Sequence, residues 1–180
     1  MSRVIMFLAD GFEECEGLIT VDLLRRAGIV VTTASVMEKK EIVSAHGIRL
    51  FADVMAEEAD YDAADMLILP GGQPGTRNLA ASSLVREKCL AFAGEKKLAA
   101  ICAAPTVLAG LGLLRGKEAT CYPTSEPLLE GAHLRHIKAV TDGNITTGQA
   151  LGAAFSFALR IISELEGAEA ARKVAEAICL

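Results

Sequence analysis

Apolar runs closed by turn residues alternate with stretches of helical periodicity along nearly the whole chain. Such alternation predicts an α/β fold with a mostly parallel central sheet. Residues 3–9 read as a first buried strand. Residues 14–27 read as a helix ended by Gly28, with Arg25 and Arg26 in the last turn, where cations suit the helix dipole. Residues 29–36 predict a second strand, and I-V-S-A-H-G-I-R-L at 42–50 predicts two short extended pieces turning at His46 and Gly47. A third strand at 66–69 runs straight into the Gly- and Pro-rich loop 70–75. A helix at 84–93 and a strand at 97–101 follow, and Pro105 allows a helix to start at once. Beyond it the pattern predicts strands at 119–121, 137–140 and 145–147 and helices at 151–165 and 169–178. No linker or repeat interrupts the alternation, so residues 1–180 are expected to form one domain.

Composition narrows the function classes. The chain has 18 Lys plus Arg against 23 Asp plus Glu, a net charge of −5, which argues against a phosphate-backbone partner. Aromatic residues make up 4% and Trp is absent, so stacking platforms for single-stranded nucleic acid are scarce. A hydrophobic fraction of 52% and a mean hydropathy of +0.37 exclude intrinsic disorder. The apolar runs fall far short of the roughly 20 residues of a membrane span, and the N-terminal M-S-R-V-I-M-F-L-A-D suits a buried strand better than a signal peptide. Cysteines at 15, 89, 102, 121 and 179 are odd in number and form no C-x-x-C pair, so reduced thiols and a cytoplasmic location are expected.

Ligands of open α/β sheets bind outside the carboxyl ends of the strands, which directs attention to residues 10–16, 70–75, 102–105 and 122–124. Cys102 sits among small residues in A-A-I-C-A-A-P, a sequence suited to a tight strand-to-helix turn like a nucleophile elbow. A thiol at a helix N-terminus is expected to have its pKa lowered; the same residue also suits a small buried core position. D-G-F-E-E-C-E places Glu13, Glu14 and Glu16 at a helix start, where the dipole stabilises acids without further reason. One of them pointing toward Cys102 would serve as proton donor or base, and periodicity does not choose which. The Pro-Gly-Gly loop reads either as a plain connection or as a source of backbone N–H groups for an oxyanion hole. His133 and His136 lie three apart with no Cys or acidic companion at ligand spacing, so no metal site is expected there. Cys15, Cys89, Cys121 and Cys179 are expected to be structural, and of these Cys15 and Cys121 adjoin the expected site mouth, where they could act as resolving thiols.

The segments D-G-F-E-E-C-E-G-L-I-T-V-D-L-L-R-R-A-G, L-I-L-P-G-G and A-A-I-C-A-A-P, in this order and spacing, resemble the ThiJ/PfpI superfamily, in the branch of the Parkinsonism-associated protein deglycase. The resemblance runs from Arg3 to the C-terminal helix. It implies a flavodoxin-like three-layer α/β sandwich of the class I glutamine amidotransferase-like type, a nucleophile elbow and a homodimer. It also implies Cys102 as nucleophile and Glu16, third acid of E-E-x-E, as the carboxyl group bonded to its sulfur. Gly72 and Ala103 fall at the oxyanion-hole positions. Tyr122, Gly71 and His46 are the expected substrate-binding positions, His46 standing where relatives often carry an arginine. Two departures stand out: T-C-Y-P offers Tyr122 where the deglycase has a histidine, and Ala103 replaces the histidine that follows the cysteine in the protease-like branch. Tyrosine, with a pKa of about 10, orients or donates rather than acting as a base near neutrality, and a Cys-His peptidase dyad is not expected.

The implied activity is cofactor-free conversion of methylglyoxal, glyoxal or their early adducts with amines and thiols to lactate or glycolate. The alternative is a redox sensor or stress-response protein in which Cys102 is oxidised to sulfinic acid. The expected partners are thus small reactive aldehydes and a second copy of the chain, with no membrane or nucleic acid.

Overall fold

The computed structural model describes residues 1–180. The chain runs β1 (Arg3–Leu8), α1 (Glu14–Arg26), β2 (Val30–Ser35), β3 (Glu41–Val43), β4 (Arg49–Phe51), β5 (Val54–Met55), β6 (Met66–Leu69), α2 (Gly75–Ala81) and α3 (Ser83–Glu95). It continues through β7 (Lys97–Ile101), α4 (Pro105–Gly110), β8 (Glu118–Ala119), β9 (His133–Leu134), β10 (Ala139–Asp142), β11 (Ile145–Gly148), α5 (Ala154–Glu166) and α6 (Ala168–Ala177). Seven strands form one sheet in the order β10-β11-β7-β6-β1-β2-β5, parallel except where β10 meets β11.

Strand periodicity of two builds the layers. Val4, Met6 and Leu8 face one side, where they pack with Leu23 and Leu24 of α1 and Phe157 and Ile161 of α5. Ile5 and Phe7 face the other, against Leu79 of α2, Cys89 of α3 and Leu108 of α4. With both faces covered, β1 and β6 must be apolar at almost every position, which is why they read as continuous runs rather than alternating ones. The result is the flavodoxin-like three-layer sandwich.

From β1 the chain builds outward through β2 on one side and β6 and β7 on the other. This reversal is a topological switch point, where loops leaving adjacent carboxyl ends diverge and open a crevice. The loops after β1, β6 and β7 therefore meet there. No helix is long and apolar enough to cross a membrane.

Three local expectations change. The loop after β6 ends at Pro74, and Gly75 opens the unforeseen helix α2. Ser82 then starts α3 by accepting the Val85 N–H at 3.3 Å, an N-cap that resets the helix direction. The expected strand at 119–121 shrinks to β8 and pairs with β9 in a separate two-stranded ribbon, outside the central sheet. One reason is at Thr120, whose N–H bonds the Thr147 side chain at 2.9 Å instead of continuing a ladder. The short strand β5, not foreseen, closes the sheet edge beside β2.

Candidate active site

Cys102 follows β7 directly and adopts φ 66°, the left-handed region that L-residues other than Gly, Asn and Asp avoid. Three connections hold it there. Its N–H donates to Gly148 O at 3.0 Å, its C=O accepts the Tyr122 N–H at 2.8 Å, and Ala104 N–H closes back on Ile101 O at 3.0 Å. A strained backbone fixed by its surroundings is the elbow that the small residues around Cys102 anticipated.

Glu16 answers the three-carboxylate question. In the first turn of α1 it points into the protein, with 1% of its surface exposed. Its Oε2 accepts the Gly71 N–H at 3.0 Å. Any Cβ on Gly71 would lie 2.5 Å from Glu16 Oε2 and 2.5 Å from Cys102 Cβ. The absent side chain at Gly71 is what lets carboxyl and cysteine approach each other. Gly72, at φ +89°, turns the loop so that its own N–H and that of Ala103 face the sulfur.

The electrostatics depart from the expected dipole-lowered thiol. Burial, then the charge and hydrogen bond of Glu16, push the Cys102 thiol up to about 12, and the N–H groups of Ala103 and Gly72 offset this only in part. Burial likewise lifts Glu16 from its ordinary 4.5 to about 7, opposed by hydrogen bonds from Cys102 and Gly71 and assisted by Glu13. The physical reason is shared: two acids enclosed together resist holding two negative charges. α4 is too short, at six residues, for its dipole to reverse this. Near neutrality the thiol therefore keeps its proton, and the Glu16 carboxyl stands near the midpoint of its titration, able to give or take one.

A cavity of about 250 Å³ opens above this pair, lined by Gly72, Cys102, Ala103 and Tyr122, together with Gln73, Thr124 and Ser125. Tyr122 is 45% exposed and stands at the rim. Gln73 and Thr124 fall within the loops 70–75 and 122–124 that the sequence pointed to, without a role assigned to either, whereas Ser125 lies outside them; Pro123 and Pro127 mark the 3₁₀ turn that carries Thr124 and Ser125.

His46 and Gly71 are not among the cavity-lining residues. The His46 ring instead approaches α1, with Nδ1 2.9 Å from Glu14 Oε1 and 3.8 Å from Glu13 Oε2. His133 and His136 are exposed, and His136 pairs with Glu126 at 3.3 Å. All five cysteines are free; Cys15 and Cys179 are exposed, Cys89 and Cys121 buried.

A flavodoxin-like sandwich with a left-handed cysteine elbow, a buried carboxyl partner and backbone N–H groups at the sulfur defines a class of cysteine-elbow α/β proteins. Within it, the sequence matches the DJ-1/PfpI family over residues 2–164. The chain belongs to that family. It is 38% identical over 177 residues to the Parkinson disease protein 7 homolog of Danio rerio, covering 96% of this chain and 94% of the relative. It is 31% identical over 183 residues to the glutathione-independent glyoxalase DJR-1.2 of Caenorhabditis elegans, covering 99% and 96%. The solved structure of oxidized Toxoplasma gondii DJ-1 superposes with a TM-score of 0.95 at 29% identity, covering 99% of this chain and 98% of that one.

Proposed function

We propose that this protein, read as one domain over residues 1–180, is a cofactor-independent, cysteine-dependent enzyme acting on methylglyoxal, glyoxal or their early adducts with amines or thiols. The observation that carries this reading is Glu16, buried and protonatable near pH 7, coupled to Cys102 beneath a cavity of about 250 Å³. The kinship with a relative named a glutathione-independent glyoxalase supports the substrate class.

In this reading Glu16 takes the thiol proton and the sulfur adds to the aldehyde carbon of methylglyoxal. The developing alkoxide is met by the N–H groups of Gly72 and Ala103 and takes the proton from Glu16, giving a hemithioacetal and returning Glu16 to its carboxylate form. Glu16 then removes the proton from that carbon, and the neighbouring carbonyl becomes an enediol. Reprotonation at the second carbon gives a lactoyl thioester on Cys102. Water cleaves the thioester, releasing lactate and restoring the thiol, so that methylglyoxal plus water equals lactate with no external oxidant. Tyr122, at the rim, orients the substrate. A homodimer belongs to the same reading, and the exposed Leu18, Ile48 and Phe51 offer apolar surface for it.

Release of lactate from methylglyoxal is the test, measured for the wild type, Cys102→Ala and Glu16→Gln. Turnover by the wild type, its loss in Cys102→Ala and a large fall in Glu16→Gln are expected. No wild-type turnover, or turnover surviving Cys102→Ala, overturns the reading.

One observation favours a second reading, a sensor of peroxide. A protonated Glu16 beside the sulfur can donate a hydrogen bond to an added oxygen, favouring arrest at sulfinic acid. Mass spectrometry after mild peroxide should then find two oxygens on Cys102 before any other cysteine, and indiscriminate oxidation rejects it.

A further inference from the structure

We propose that the Ser125 hydroxyl is a further catalytic group of this site, donating a hydrogen bond to the oxygen on the substrate's second carbon and so selecting aldehydes that carry an oxygen beside the reacting carbon. This role rests on the reading of the site as an aldehyde-converting enzyme.

Ser125 is fixed to the elbow through two backbone bonds. Cys102 O accepts the Tyr122 N–H at 2.8 Å, and Tyr122 O accepts the Ser125 N–H at 2.8 Å. The 3₁₀ turn Pro123–Leu128 stiffens the segment, with Pro123 at its start and Pro127 inside it. Gln73, Tyr122 and Thr124 also line the cavity, but all three are exposed, and Gln73 Oε1 already accepts the Arg77 Nε–H at 3.3 Å. Among these polar side chains Ser125 is the buried one, at 8% exposure.

Two observations leave its hydroxyl free for a ligand. A serine or threonine in a helical turn often returns its hydroxyl to a carbonyl three or four residues back, as Thr106 does to Ala103 O at 2.7 Å. For Ser125 that carbonyl is Tyr122 O, whose two lone pairs are taken by the Ser125 N–H and by the Cys121 thiol at 3.4 Å. The hydroxyl therefore bonds no protein atom, and unlike Glu16 Oε1 and Thr76 Oγ1 it is not sealed inside the protein. Because Ser125 lines the cavity above Cys102, that is the opening its hydroxyl faces.

The chemistry needs a donor there. The N–H groups of Gly72 and Ala103 serve the oxygen on the carbon joined to sulfur. When Glu16 takes the proton from that carbon, the C–H electron pair becomes a C=C bond, and the neighbouring carbonyl pair moves onto its own oxygen. A fixed hydroxyl donor meets the negative charge that develops on this second oxygen. Glu16 then returns the proton to the second carbon, and the hydroxyl proton on the first passes to the second oxygen. The lactoyl thioester results with all atoms conserved. The cavity, at about 250 Å³ smaller than pockets for drug-sized ligands, keeps a three-carbon substrate against this wall.

The test compares the wild type with Ser125→Ala on two molecules of one shape: methylglyoxal, and propanal, which has a methylene where methylglyoxal has its second oxygen. Propanal is read as a competitive inhibitor of lactate release. In Ser125→Ala the kcat for methylglyoxal is expected to fall roughly a hundredfold, the scale for losing one donor to a developing oxyanion, with KM changed much less. The propanal inhibition constant and the melting temperature are expected to stay at wild-type values, because the lost hydroxyl bonds neither propanal nor the protein. An undiminished kcat in Ser125→Ala, with wild-type turnover present, overturns the Ser125 role alone. A matching loss of propanal affinity or of melting temperature also overturns it, because the hydroxyl is then structural. Absence of lactate from the wild type removes the enzyme reading and this role with it.

Discussion

The Gly71 N–H donates to Glu16 Oε2 at 3.0 Å across 55 residues of sequence. This single bond ties the loop after β6 to the first turn of α1, and it fixes the carboxyl beside the cysteine that follows β7. A second bond runs back the other way, from the Glu13 N–H to Gly71 O at 2.9 Å. The glycine is thus clamped on both polar atoms, with its missing side chain facing Cys102.

Gly71→Ala is expected to disrupt this arrangement from the inside. The new methyl group would meet two side-chain atoms at 2.5 Å, and overpacking of this kind costs about 1–3 kcal/mol. A lowered melting temperature together with at least a tenfold loss of lactate release from methylglyoxal is the expected outcome. Wild-type behaviour in both measurements would show that the neighbours yield freely.

Glu16→Gln should change how stability depends on pH. The Glu16 carboxyl titrates near 4.5 when unfolded and near about 7 when folded, so the folded protein holds this proton more tightly. The stabilisation from the protonated form is therefore complete below about 4.5 and is lost as pH rises through about 7. A gap of about 2.5 in pKa corresponds to about 3 kcal/mol. In urea denaturation from pH 4 to pH 8, the wild type should lose about that much more stability than the glutamine variant, which cannot ionise. Parallel pH profiles would mean that Glu16 is not held protonated by burial.

Backbone strain at Cys102 is tested by comparing two deletions of the thiol. Glycine adopts φ 66° without the steric cost of a Cβ, whereas alanine retains it. Cys102→Gly should therefore be more stable than Cys102→Ala by about 1 kcal/mol, read from urea midpoints at equal slope. Equal or lower stability for the glycine variant would remove strain from the account.

Tyr122→His places an imidazole, with an ordinary pKa of about 6.5, at the cavity rim. The pH profile of kcat/KM for methylglyoxal should gain a titration between about pH 6 and 7 that the wild type lacks. An unchanged profile would count against Tyr122 contacting substrate.

Much of this was legible before any coordinates. β1, β6 and β7 announce themselves because strands covered on both faces must be apolar throughout. The elbow is legible in the small residues around Cys102, and the carboxylate run in D-G-F-E-E-C-E. Other elements were hidden for definite reasons. α2 begins at a glycine within a Gly- and Pro-rich stretch, where local composition speaks for a loop and packing of Leu79 under the sheet decides otherwise. β8 leaves the central sheet because a side chain, Thr147, takes the hydrogen bond that a ladder would use.

The sequence by itself determined the layered α/β architecture, the position of Cys102 after a strand, and a set of three acids at a helix start. Only the tertiary structure sorted those acids. It turned Glu16 inward to Gly71 and Cys102, and it set Glu13 and Glu14 against His46. It also reversed the expected thiol shift, raising Cys102 where helix-dipole reasoning lowers it. The physical reason is that hydrophobic periodicity is a local property of the chain. Which carboxyl is desolvated, and beside which partner, depends on loops that meet only when β1, β6 and β7 lie side by side.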